Sequence, residues 1–248
     1  MAEDLAAGVA GAGVASPAAA PEGDSDMAMT ADDFATQVTD ALGPRLGSLL
    51  LYGSAARHPN EAAAAMNTLL LVRDGRAMES ELFAKLAAPV RSWIAAGHPP
   101  PLMMTDQEWR ESSDAFPIEY EDIREAHRLL AGRDPWSGIT VRREDLRRQL
   151  EHELMGKLMH LRQAFAAYWN DPKRLADVVR ETQSSFLAML RAALRLAGRK
   201  APATPEALVR DAAALVGFPA STLTEPAAYL DAVTRTAEYV NRLERAPS

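Results

Sequence analysis

Two short apolar runs, LGSLLLY at 46–52 and TLLLV at 68–72, restrict the fold of this chain more than any other feature of its sequence. Gly53 breaks the first and Arg73-Asp74 follows the second, so neither reaches helix length and both read as buried strands. The segments around them read as helices. TADDFATQVTDALG has Thr30 in the N-cap position, Phe34, Val38 and Leu42 four residues apart, and a stop at Gly43-Pro44. MESELFAKLAAPVRSWIAAG reads as a second helix, ending at Gly97.

Downstream, HPPPLMMTDQEWRESS predicts a third strand around Leu102 to Met104. A helix follows, capped by Thr105 with Glu108 at capping-box spacing. FPIEYEDI predicts a fourth strand with Glu119 and Glu121 on one face, and REAHRLLAGRDPW a short helix closed by Gly132. The order is that of a compact α/β module of about 110 residues. From Arg142 the pattern changes. Leu146, Leu150, Leu154, Leu158, Leu161 and Phe165 form a helical stripe that Asn170-Asp171-Pro172 interrupts. Three further helical segments follow, so the C-terminal part reads as a four-helix bundle. The expected organisation is a disordered Ala/Gly/Pro-rich tail at 1–29, the α/β domain at 30–140 and the bundle at 141–248.

The formal charge of −7 is unevenly placed. Eight acids and no Lys or Arg precede Arg45; without them, 26 of the 34 acids face 27 bases. A nearly neutral folded part has little counterion release to drive nucleic-acid binding, so no nucleic-acid partner is expected. The chain has no cysteine, which excludes disulfides and thiolate metal sites and fits a reducing cytosol. The N-terminus lacks the basic and apolar parts of a signal peptide, and no window offers the roughly 20 apolar residues of a membrane span. A soluble, cytoplasmic protein is expected.

A strand ending in Gly53-Ser54, an Arg three residues later, a dozen loop residues and a second apolar strand resemble the nucleotidyltransferase superfamily. Its minimal and aminoglycoside nucleotidyltransferases share that layout. LLLYGSAARHPN matches the first half of the signature and MNTLLLV occupies the second. The resemblance implies an α+β fold, a nucleotidyltransferase-like mixed sheet domain followed by a C-terminal four-helix bundle. The aminoglycoside type has such a helical bundle, and the minimal type commonly pairs with helical partners called HEPN.

In that family two carboxylates two residues apart on a strand, with a third from a following strand, hold divalent metal against a nucleoside triphosphate. The resemblance places Asn67, Leu69 and the strand around Met103 at those positions. Asn67 offers one neutral oxygen; Leu69 and Met103 offer a hard cation nothing. Asp74 has the wrong parity and lies beyond the strand, whereas Glu61, Glu119 and Glu121 stand as possible substitutes. No catalytic or metal residue is therefore assigned, and no cofactor, Mg²⁺ being needed only if the site is active.

Gly53, Ser54, Arg57 and Asn67 remain as the nucleotide- or phosphate-binding set: turn amides, a hydroxyl, a guanidinium and an amide suit an anion. The simpler reading, favoured by the Ala-rich loop EAAAAMN, is a tight turn at Gly53 with Arg57 a solvated loop charge. Other polar residues read as structural. His58, His98, His127, His152 and His160 show no metal-ligand spacing. Arg147 and His152 only loosely resemble a HEPN ribonuclease motif, and with Arg148, Glu151 and Lys157 read as a solvated, ion-paired face. Glu119, Glu121, Asp122 and Glu125 read as a strand edge and helix start, and Met103, Met104, Met155 and Met159 as core filler.

Three functions stay open. The first is a nucleotidyltransferase-fold protein without metal-dependent catalysis, acting as a binding or interaction module. The second is an active enzyme moving a nucleotide from an NTP to a hydroxyl of a small molecule or protein. The third is a structural partner or homo-oligomer, assembled through the bundle.

Overall fold

The computed structural model describes residues 29–58, 65–73, 78–220 and 223–243. The expected tail, Met29 excepted, lies outside them, as do Glu61 and Asp74. The contacts divide the chain into two units. One contains described residues 29–114 and 120–140, the other 115–119 and 141–243.

In the first unit, α1 (Ala31–Leu42) begins at a capping box in which Thr30 Oγ1 accepts the Asp33 N–H and the Asp33 carboxylate accepts the Thr30 N–H, both at 3.1 Å. The Thr30 hydroxyl, which donates to the Asp33 carboxylate at 2.6 Å, and then the Thr30 N–H hold that carboxyl below its usual range. Strand β1 (Leu46–Tyr52) leads through a one-turn helix α2 (Ser54–Arg57) to β2 (Asn67–Val72). Helix α3 (Ser80–Ala95), β3 (Leu102–Thr105), α4 (Asp106–Glu111), α5 (Pro117–Glu125) and β4 (His127–Gly132) complete the series. Helix α5 straddles the division between the units, its first three residues being counted with the second.

The sheet order is β3-β2-β1-β4, antiparallel at β1–β2 and β1–β4 and parallel at β2–β3. The two apolar runs are thus its central strands, buried almost throughout, which explains why they lack the alternation of a half-exposed strand. Leu49, Leu70 and Val72 on one face pack with Phe34 and Val38 of α1 and Leu82, Leu86 and Trp93 of α3. Phe34 stacks on Trp93 with centroids 4.4 Å apart. Each such fully buried side chain contributes roughly 1.5–3 kcal/mol.

Two expected elements are exchanged. FPIEYEDI is helical, in α5, and HRLLAG, expected within a helix, is β4. Ile118 and Tyr120 mimic strand alternation, but the next buried residues, Ile123 and Ala126, follow at three-residue helical spacing. Glu119 and Glu121 therefore lie roughly 200° apart around a helix, not on one strand face. Strand β4 exists because β1 offers it a pairing edge; on its own the half-exposed HRLLAG shows little strand pattern.

The second unit is helical: α6 (Arg143–Tyr168), α7 (Pro172–Leu196), α8 (Pro205–Val216) and α9 (Pro226–Leu243). Asp171 caps α7 and Thr204 caps α8, each followed by Pro at the first helical position. Helix α6 packs on α7 and α9, and α8 on α7. The predicted stripe is buried from Leu146 to Leu161, while Phe165 is half-buried. Residues 115–119 join this unit: Ile118 N–H donates to Gln149 Oε1 at 2.8 Å, and Gln149 Nε2 to Glu119 Oε2 at 2.9 Å.

Lys157 corrects the reading of a solvated charged face. Its ammonium donates to the Thr182 carbonyl at 3.0 Å and to Ser185 Oγ at 2.8 Å, and Tyr229 Oη donates to the same carbonyl at 2.9 Å. Burial pulls the Lys157 pKa down to about 8, against the attraction of Glu153. Arg147 pairs with Glu151 at 2.7 Å while His152 is exposed, so the two do not form a joint site. No helix among the described residues is long and apolar enough to cross a membrane.

Candidate functional site

Strand β1 ends at Gly53, whose φ of +80° is open to glycine and strained for other residues. That conformation turns the chain sharply into α2. The Gly53 carbonyl accepts the Ala56 and Arg57 N–H groups at 3.2 and 3.0 Å, and the Gly53 N–H donates to the Ala126 carbonyl at 3.3 Å. The first-turn amides of Ser54 and Ala55 have, by position, no acceptor within their helix. Ser54 is exposed.

Asn67 opens β2 directly opposite Tyr52. A Cβ placed on Gly53 would stand 3.4 Å from the Asn67 side-chain nitrogen, so the Asn67 amide lies against the turn. Next to it, the Met66 N–H donates to Nδ1 of buried His98 at 3.3 Å, and that ring lies 4.0 Å from Trp93. Gly53, Ser54 and Asn67 thus come together as the spacing suggested. Arg57 turns elsewhere: its guanidinium stands 3.8 Å from Asp122 Oδ1 and 3.5 Å from the Asp122 carbonyl, both in α5. Its side chain is only 10% exposed, so it is not a solvated loop charge. The sequence carried no signal for this pairing across 65 residues.

Strand register decides what shares a face with Asn67. Opposed residues of a sheet point the same way, so Tyr52 goes with Asn67, Leu50 with Leu69 and Ser48 with Leu71. On β3 the corresponding residues are Leu102 beside Leu69 and Met104 beside Leu71. Met103 instead neighbours Leu70 and packs against the α1–α3 core, so the expected third position belongs to its neighbours. Leu69 and Leu71 are fully buried, and Leu102 and Met104 half-buried. This row contains no carboxylate.

A divalent cation wants oxygen ligands, and one neutral amide oxygen beside four apolar side chains does not fit it. Nor do the described acids regroup: none forms a set of three potential ligands. Glu121 pairs with Arg124 at 2.9 Å, and Glu119 accepts from Gln149. Asp106, directly after β3, is bound to Arg133 at the opposite end of the strands from Gly53. There Gly47 is required, since a Cβ would come within 2.6 Å of Asp106 Oδ1 and 2.8 Å of the Leu71 carbonyl. A polar cleft of about 230 Å³ opens beside that pair, lined by Trp109, Arg110, Asp134 and Ser137 among others. No sequence motif announced it, because its residues come from separate turns.

No protein-family model matches the sequence. No curated protein matches it either. Among solved structures, the chain is similar to spectinomycin adenyltransferase AAD(9) from Enterococcus faecialis, crystallised with ATP and spectinomycin. The TM-score is 0.51 at 10% sequence identity, over 86% of this chain and 98% of that one. At that identity the likeness concerns the fold alone. With its four-stranded mixed sheet and C-terminal helices, this chain has the α+β nucleotidyltransferase-like fold.

Proposed function

We propose that this is a nucleotidyltransferase-fold protein without metal-dependent nucleotidyl transfer, acting as a binding or interaction module in the cytoplasm. One observation carries the reading: Asn67, Leu69, Leu71, Leu102 and Met104 share one sheet face, the face onto which the sequence resemblance maps the family's carboxylates. Metal clamping supplies several kcal/mol of charge stabilisation, and each roughly 1.4 kcal/mol is tenfold in rate. A face that binds no cation forfeits that acceleration. The polar groups left at the turn are the Ser54 hydroxyl, the first-turn amides and the Asn67 amide, a set able to hold an anion without metal.

The test is the melting temperature of the full chain with ATP, GTP, CTP or UTP, each in Mg²⁺ and in EDTA. Spectinomycin is included because the structural neighbour was crystallised with it. A ligand at 100 times its Kd adds about 2.7 kcal/mol, a readily visible shift. The proposal expects any nucleotide shift to be the same in Mg²⁺ and EDTA, with no nucleotide turned over. A shift that requires Mg²⁺ overturns it.

A further inference from the structure

Helix α6 carries a second stripe besides its buried leucines. Arg148, His152, Met155, Met159, Arg162, Ala166 and Trp169 step by 4, 3, 4, 3, 4 and 3 residues, and all are exposed. This is the spacing that keeps one seam facing a partner helix. At its centre Met155 is 38% and Met159 55% exposed, and Trp169 at its end is 71% exposed. Large apolar side chains in such a row are unusual on a surface with nothing to cover them. Gly156, beside the two methionines, has open space where its Cβ would be, so packing within the chain does not require a glycine there. Within a helix it costs about 1 kcal/mol relative to Ala.

The seam is complementary to itself in one orientation. If two copies of α6 lie antiparallel with their midpoint at residue 157, Met155 of each packs on Met159 of the other, and Arg148 meets Ala166. On one flank Glu151 of each copy then faces Arg162 of the other. Glu151 already accepts from Arg147 and keeps 35% of its side chain exposed. Arg162 has no carboxylate partner among the described residues. We propose that a second copy of this chain docks antiparallel along this face, closing two Glu151–Arg162 pairs around a methionine centre. The inference is independent of whether the sheet domain binds nucleotide.

Sedimentation of the full chain over a series reaching about 0.2 mM tests it. The mass is expected to move from 26.9 kDa toward twice that value. Met159→Glu and Arg162→Glu should each raise the dissociation constant about tenfold or more, and Glu151→Arg should restore association to the Arg162→Glu chain. Circular dichroism reports whether the helices survive. Because the chain has no cysteine, register can be read by crosslinking. A mixture of Arg148→Cys and Ala166→Cys chains should form a disulfide heterodimer. Ala166→Cys alone should not, since its two thiols would be about 27 Å apart along the axis. A monomer throughout would leave the face to another protein and overturn the proposal. So would a dimer indifferent to the charge swap, or one that crosslinks through Ala166→Cys alone.

Discussion

Replacing Lys157 by Met should make the protein more stable at neutral pH and remove a rise in stability expected of the unmodified chain above pH 8. Its ammonium sits between α6 and α7, hydrogen-bonded to Thr182 and Ser185, and burial brings its pKa from 10.5 to about 8. The unfolded chain therefore holds a proton between pH 8 and 10.5 that the folded chain releases, so stability increases with pH across that window. Below pH 8 both states are protonated and the cost of burying the charge is constant. At about 1.4 kcal/mol per pKa unit, most of a shift of this size amounts to roughly 2 to 3 kcal/mol between pH 7 and 10. The neutral amine still donates to Thr182 and Ser185, and Tyr229 still bonds the Thr182 carbonyl, so deprotonation leaves no acceptor bare. Above pH 10 the buried Tyr229, whose pKa is pushed up to about 12, reverses the trend as the unfolded tyrosine ionises first. The assay is urea unfolding at pH 7, 8, 9 and 10 for both chains. Stabilities that run parallel in the two chains would refute the argument, because the methionine variant has no group to titrate there.

Two further substitutions probe the sheet domain. Leu69→Asp places a carboxylate at a fully buried position, and should cost about 3 kcal/mol or more from lost packing and a buried acid. An unchanged urea midpoint would mean that residue 69 faces solvent and that the metal argument fails. Arg57→Ala and Asp122→Ala should each destabilise, with a coupling of about 1 kcal/mol in a double-mutant cycle, because the pair is partly buried but long at 3.8 Å. Zero coupling would free Arg57 for a ligand.

The elements legible in the sequence were those whose signals are local. Thr30 and Thr105 cap their helices by accepting the backbone N–H three residues on, and the leucines of α6 repeat along a single helix face. LLLY and TLLLV, too short for helices and bounded by Gly53 and Arg73-Asp74, read as buried strands. That Gly53, Ser54 and Asn67 lie close together was legible because a strand, a turn and the next strand join them.

What was missed depends on partners distant in sequence. PIEYEDI fits either period over so short a span, and HRLLAG becomes a strand only because β1 has a free edge. Which β3 residue stands beside Leu69 follows from a parallel register that no local pattern encodes, and it is Leu102 rather than Met103. Asp122 takes Arg57, and Thr182 with Ser185 takes Lys157, through contacts 65, 25 and 28 residues apart. The sequence by itself determined that Asn67, Leu69, Leu71, Leu102 and Met104 carry no carboxylate, since side-chain chemistry is carried by residue identity. Only the tertiary structure decided which side chains share the face and which charges are buried, because register and desolvation depend on how separate segments pack.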